Sequence, residues 1–144
     1  MPSTPHGFIK SAIWKNLPMP ILAIDHVNIR TPDMDGTIAF FRDMLDMEIT
    51  AAPGRRVEHN ARLLDEAGRA VVHLLREKPG APVGEDNGAF DHVALECSGY
   101  DALLERLGRN GYRVRTNEVA EIGLRQIFVH EPNGVLLELN FRGD

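Results

Sequence analysis

An α+β fold built from two tandem β-α-β-β-β modules is predicted by three observations on this 144-residue chain. First, Ile24-Asp25-His26-Val27-Asn28-Ile29 returns as Phe90-Asp91-His92-Val93-Ala94-Leu95. Second, each copy is followed by a stretch of helical periodicity and then by three strand-like runs. Third, the last run of each copy ends alike, in Arg69-Ala70-Val71-Val72-His73-Leu74 and in Gly134-Val135-Leu136-Leu137-Glu138-Leu139, which puts His73 and Glu138 in matching places. With 43% hydrophobic residues, a chain of this length supports one well-buried core and not two independent domains. Two fused modules sharing one domain are therefore expected.

Residues 1–20 lie outside the repeat and read as an N-terminal arm, bounded by Pro18 and Pro20, in which Phe8, Ile9, Ile13, Trp14 and Leu17 form one apolar side of a short helix. The first module spans residues 21–77. Its first strand covers residues 21–30, and Pro32 and Asp33 end it. Asp33 is a good N-cap for a helix whose apolar stripe is Ile38, Phe41 and Leu45, widened by Phe40 and Met44. Strands follow at residues 47–52, 59–66 and 69–77, the last two joined by a turn at Glu66-Ala67-Gly68. A linker over residues 78–89, rich in Pro, Gly and Asn, separates the modules. The second module, residues 90–142, repeats the order: a strand over 90–97, a helix over 100–109 with Leu103, Leu104 and Leu107 on its apolar side and Asn110-Gly111 as its stop, then strands at 113–119, 124–130 and 135–141. Pro132-Asn133-Gly134 turns between the last two, Gly134 supplying a positive backbone angle.

Strand alternation sorts the polar residues onto one face. In the first strand His26, Asn28 and Arg30 oppose Val27 and Ile29; in the fifth, His92, Ala94 and Glu96 oppose Val93, Leu95 and Cys97; in the last, Glu138, Asn140 and Arg142 oppose Leu137, Leu139 and Phe141. The apolar sides belong against helices, so the polar sides line a cup. His73 shares its side with Val71, Leu75 and Glu77 and faces Val72, Leu74 and Arg76 across the strand. Alternation alone does not assign it to the cup. His26, His73, His92 and Glu138 are the candidate metal ligands, three imidazoles and a carboxylate. His59 and His130 are candidates for positions behind them.

Composition narrows the partners. A formal net charge of −5 without a basic stripe argues against nucleic acid. No run approaches the length of a membrane span, and the N-terminus lacks the basic and apolar regions of a secretory signal. The single Cys97, in an apolar strand run, reads as a reduced, buried thiol. A cytoplasmic protein is expected.

The repeated Asp-His-Val strands, the duplicated module order and the closing Pro132-Asn133-Gly134-Val135-Leu136-Leu137-Glu138-Leu139 resemble the vicinal oxygen chelate superfamily, which includes glyoxalase I, methylmalonyl-CoA epimerase, fosfomycin-resistance proteins, bleomycin-sequestering proteins and extradiol dioxygenases. The resemblance covers about residues 21–142. It implies an open, mixed-sheet barrel around a metal site, with one divalent ion (Zn, Ni, Co, Mn or Fe(II)) held by His26, His92 and Glu138, and by His73 where glyoxalase I has Glu and the epimerase has Gln. It also implies a homodimer, in some members with each site built from two chains.

Such a ligand set leaves coordination positions open for two oxygens of a small substrate, and a fixed charge in a dry site stabilises an enolate. The expected activity is accordingly that of a glyoxalase- or epimerase-like lyase or isomerase, with Glu138, or nearby Glu96, as the catalytic carboxylate. An Fe(II) dioxygenase using His26, His92 and Glu138 as a facial triad is the main rival, although the extradiol enzymes are commonly twice this length. An epoxide-opening transferase would need a cationic pocket, to which Arg30, Arg125 and Arg142 could contribute. A metal-free binding protein has no need of four ligand-type residues.

Overall fold

The computed structural model describes residues 20–143. The elements run β1 (Val27–Thr31), α1 (Met34–Leu45), β2 (Glu48–Ala51), β3 (Asn60–Leu64), β4 (Ala70–Arg76), β5 (Val93–Cys97), α2 (Tyr100–Arg109), β6 (Val114–Val119), β7 (Leu124–His130) and β8 (Leu136–Arg142), with a 3-10 turn at Ala120–Ile122. This is the duplicated β-α-β-β-β order. The apolar set expected in the N-terminal arm, Phe8 to Leu17, lies outside the described residues.

Each module makes one mixed four-stranded sheet, in the orders β1-β4-β3-β2 and β5-β8-β7-β6. In both, the first strand pairs in parallel with the last, and the remaining neighbours are antiparallel. Among the described residues no strand of one sheet is hydrogen-bonded to the other, so the two sheets stay open, as expected of an open barrel. The first strand of each module is also shorter than its sequence suggests. Pairing begins at Val27 opposite Val72 and at Val93 opposite Leu137, and without a partner strand Ile21, Leu22 and Ile24 remain exposed. His26 and His92 thus sit at the entrances of β1 and β5 rather than within them.

Helix α1 starts where Asp33 accepts a hydrogen bond from the Gly36 amide at 3.0 Å, satisfying one of the unpaired donors of the first turn. It ends at Asp46, a non-glycine residue in the left-handed region with φ 54°. Its buried stripe is Met34, Thr37, Phe40, Phe41 and Met44, so Ile38 and Leu45 stand at the margin of the face and not at its centre. Full burial of Phe40 and Phe41 contributes roughly 1.5–3 kcal/mol each. The Phe40 ring meets Tyr112 edge-on, with centroids 5.2 Å apart, and joins the modules through one core. Arg106 of α2 donates from Nη1 to the Met44 carbonyl and to Asp46 Oδ2, both at 2.9 Å, which places a cation on the carbonyl end of α1.

The turns before β4 and β8 are the same device. Asp65 Oδ1 accepts from the Ala67 and Arg69 amides, and Glu131 Oε1 accepts from those of Asn133 and Val135. Gly68 and Gly134 follow at φ 77° and 91°. Beyond the turn the modules diverge by one residue. The β7–β8 register runs without interruption, whereas β3–β4 shifts between Leu63 opposite Val72 and Leu64 opposite Ala70, leaving Val71 as the extra residue of a bulge. The bulge puts Val72 and Leu74 into the core and turns His73 to the polar face.

Glu131 is 2% exposed, and burial pushes its carboxyl above the ordinary range against hydrogen bonds that favour the ionised form. Its Oε2 accepts from Asn133 Nδ2 at 2.9 Å, the same amide reaches Thr37 Oγ1 at 3.0 Å, and Thr37 shares a 2.8 Å hydrogen bond with Thr31. One buried polar chain so links the β7–β8 turn to α1 and β1.

Gly68 and Gly134 should respond differently to alanine. A Cβ on Gly68 meets no atom within 4 Å, so Gly68→Ala pays only the left-handed backbone penalty of about 1–2 kcal/mol. A Cβ on Gly134 would lie 1.8 Å from the Gly84 carbonyl oxygen of the linker, so urea unfolding should show Gly134→Ala losing at least about twice as much. Cys97 is free, and burial pushes its thiol up to about 11. It should resist a disulfide reagent at pH 8 in the folded protein and react promptly in urea.

Candidate metal centre

Each module brings its two candidate ligands together. His73, opposite Asn28 on β1, stacks on His26 with ring centroids 3.8 Å apart and planes 17° from parallel. Glu138, opposite Ala94 on β5, holds Oε2 at 3.0 Å from His92 Nε2. The register is the same in both modules, and so is the diagonal contact from strand entrance to fourth strand. Among the described residues no three His, Cys, Asp or Glu side chains are grouped closely enough to hold one metal ion. The four candidates form two pairs within a chain.

Both entrance histidines are oriented by the acid before them. Asp25 Oδ2 lies 2.6 Å from His26 Nδ1, and Asp91 Oδ2 lies 2.7 Å from His92 Nδ1. A carboxylate on one ring nitrogen fixes the ring and leaves Nε2 as the coordinating atom. The hydrogen bond and charge of His26 hold the Asp25 carboxyl below its usual range. His73 is pulled down by burial first, then by the neighbouring His26 and Arg62, which favours the neutral imidazole that binds metals.

Behind Glu138 stands a chain the sequence did not reveal. Asn117 Nδ2 donates to Gln126 Oε1 at 2.7 Å, and Gln126 Nε2 donates to Glu138 Oε1 at 2.7 Å and to Asn140 Oδ1 at 2.9 Å. Gln126 is 8% exposed, and its signal was present only as a polar position among Leu124, Ile127 and Val129 on β7. Arg62 was also missed: it lies on β3 directly across from His73.

The remaining candidates spread outward. Glu96 sits on the polar face of β5, exposed, with Arg142 Nη1 at 3.9 Å. Arg30 opens beside Glu77, at 3.7 Å, onto a cavity of about 550 Å³ under the linker, lined also by Asn28, Val83, Asn87, Phe90 and Asn133. Arg125 lies on the other face of its sheet, over the Tyr100 ring at 4.1 Å, and does not join the cationic pocket considered above. His59 is exposed, and His130 Nδ1 is 3.6 Å from Glu85 of the linker. Neither touches the ligand pairs. No helix among the described residues is long and apolar enough to cross a membrane.

Comparison with known proteins finds the same fold. The solved structure of the fosfomycin resistance protein FosX from Listeria monocytogenes superposes with a TM-score of 0.64 at 17% identity, covering 85% of this chain and 94% of that one. A variant of FosX has been solved with manganese(II) and 1S,2S-dihydroxypropylphosphonic acid. A glyoxalase/dioxygenase from Nostoc punctiforme gives a TM-score of 0.67 at 14% identity, covering 89% of this chain and 96% of that one. A glyoxalase family protein from Bacillus anthracis gives 0.67 at 19%, covering 88% and 99%. No curated protein matched the chain by sequence.

In solution, His26 should carry its proton on Nδ1, seen in long-range proton–nitrogen NMR spectra, and Asp25→Ala should shift the ring toward a mixture of tautomers.

A family model described as the glyoxalase/bleomycin resistance protein/dioxygenase superfamily matches residues 23–139, most of the chain, and this shows that the chain belongs to that superfamily.

Proposed function

We propose that the protein is a divalent-metal-dependent enzyme of lyase or isomerase type whose site is assembled from two copies of the chain. One copy would contribute His26 and His73, the other His92 and Glu138. The observation that carries this reading is the 3.0 Å approach of Glu138 Oε2 to His92 Nε2, with Gln126 fixing the other carboxylate oxygen and Asp91 the other ring nitrogen. Such support behind a ligand is what metal sites use to aim their donors. The imidazole and carboxylate donors fit a borderline divalent ion, and the manganese(II) in the FosX variant supports one here.

Each pair is a half-site, and its needs are complementary to the other's. The His92–Glu138 pair brings an anionic carboxylate, while the His26–His73 pair brings neutral nitrogens beside a cationic Arg62. A divalent cation bound between them would supply a fixed positive charge for two substrate oxygens. Glu138 would move the proton: its Oε1 is tied to Gln126, and its Oε2 is the atom open to exchange partners. Asn140, 8% exposed and held by Gln126, and Phe128, across β8 from Glu138, would wall that side of the substrate. Glu96 is exposed and shared with Arg142, so the proton transfer is assigned to Glu138.

Metal analysis of the purified protein should find near one equivalent of Zn, Ni, Co or Mn per chain, with activity on 2-oxoaldehyde thiol adducts or acyl-CoA epimers. Iron with catechol cleavage would instead select the dioxygenase, and no uptake on titration would leave a ligand-binding protein. His92→Ala should remove metal and turnover while leaving the fold intact, because His92 lies outside the core.

The shared site has its own test. His26→Ala and His92→Ala chains, each inactive alone, should regain about a quarter of wild-type activity when co-refolded, since half of the dimers then carry one complete site. A site within one chain would give no recovery.

A further inference from the structure

We infer that Arg62 is the specificity-determining residue of the His26–His73 half-site and receives a carboxylate carried by the substrate. The inference rests on the metal-site reading above for its setting, but its evidence is independent.

Arg62 occupies the middle of the polar face of β3. Its backbone pairs with His73 on one side and Thr50 on the other, while Ala61 and Leu63, its chain neighbours, are fully buried in the core. Residues directly opposite on neighbouring strands share a face, so Arg62 and His73 look into the same space. The Arg62 Nε is buried and has no hydrogen-bond partner, the only buried side-chain nitrogen or oxygen of the described residues in that state. A buried donor left unpaired is a standing penalty, and structures seldom keep one without a use for it.

No acid nearby is free to serve it. Asp25 is held by His26, Glu77 is beside Arg30, and Glu48 pairs across β2–β3 with Leu64 rather than Arg62. The other partly withdrawn arginines are engaged: Arg106 on Asp46 and Arg125 on Asp101 and Tyr100. The second module shows what a non-binding solution at the same position looks like. There the counterpart of Arg62 is Phe128, paired with Arg115 as Arg62 is with Thr50, and the Arg115 guanidinium lies 4.0 Å over its ring. Arg62 has no ring beneath it and no carboxylate at ion-pair distance; the acid that feels its charge is Asp25, already hydrogen-bonded to His26. A guanidinium presents Nε–H and Nη–H as a fork that fits the two oxygens of a carboxylate, and here the Nε prong is the unpaired one.

The test uses the full-length protein in chloride-free buffer, with pyruvate as the anionic probe and pyruvamide as its neutral counterpart. Metal-free wild-type protein should bind pyruvate at least about tenfold more tightly than pyruvamide and shift the Arg62 Nε–H resonance on titration. Arg62→Met should bring pyruvate down to the level of pyruvamide, with an unfolding midpoint no lower than that of the wild type, because the substitution removes the unpaired donor. Should Arg62→Met fail to fold, the Nε–H shift in the wild-type protein decides alone. Equal binding of the two probes, no binding of either, or a preference that survives Arg62→Met would overturn the inference. Manganese uptake, measured in parallel, separates the two readings. Carboxylate preference without uptake retains Arg62 and sinks the metal enzyme; uptake without preference does the reverse.

Discussion

The buried carboxylate of Glu131 is the contact on which most of this molecule depends. Its Oε1 holds the amides of Asn133 and Val135, which closes the β7–β8 turn and starts β8 in a fixed register. That register puts Glu138 opposite Ala94, on the polar face and within reach of His92. Through Asn133 and Thr37 the same carboxylate fastens the second module to α1 and β1, the strand that His26 leads into. Burying a carboxylate is costly unless its lone pairs are met, and here backbone and side-chain donors meet both oxygens. A one-residue slip at this turn would flip the whole polar face of β8 into the core.

Duplication has preserved geometry and released chemistry. Both modules keep the acid-histidine entrance, the parallel pairing of first and last strands and the carboxylate-held turn before the last strand. What differs lies on the polar faces. Module one carries two imidazoles and a guanidinium whose Nε is unpaired, module two a histidine and a carboxylate backed by two amides. In two half-sites of opposite electrostatic character, each lacks what the other has. In the shared-site reading proposed above, bringing them together would give association a specific electrostatic reason beyond apolar contact.

Much of this was legible in the sequence because the fold is written in repeats and alternation. The Asp-His-Val copies located the entrances, and the apolar partners of β1, β5 and β8 assigned His26, His92 and Glu138 to one kind of face. His73 was not assignable, and the structure shows why: the Val71 bulge breaks the period of two that such an argument counts. Gln126 and Arg62 were invisible for another reason. Their meaning comes from cross-strand neighbours, Glu138 and Asn140 for one and His73 for the other, and pairing partners distant in sequence leave no local mark. The first strands were read too long because apolar character was taken for pairing, whereas Ile21, Leu22 and Ile24 have no strand to pair with.

The departures from local rules cluster where a ligand would go. The core is sealed, its helices are capped or tied by Arg106, and the turns are satisfied. Among the described residues the features left open on the polar faces are the His26–His73 and His92–Glu138 pairs, neither of which makes a three-ligand group, and the unpaired Arg62 Nε. A sequence that satisfies its polar groups so thoroughly at Glu131 and Gln126 has no difficulty satisfying them, so leaving the Arg62 Nε unpaired a few strands away is a different kind of choice. Retained local strain of this sort is expected at sites that gain their partner only on binding. On that argument the polar faces of the two sheets are open to completion, and in the proposed reading a second copy of the chain, a cation and a substrate would complete them together.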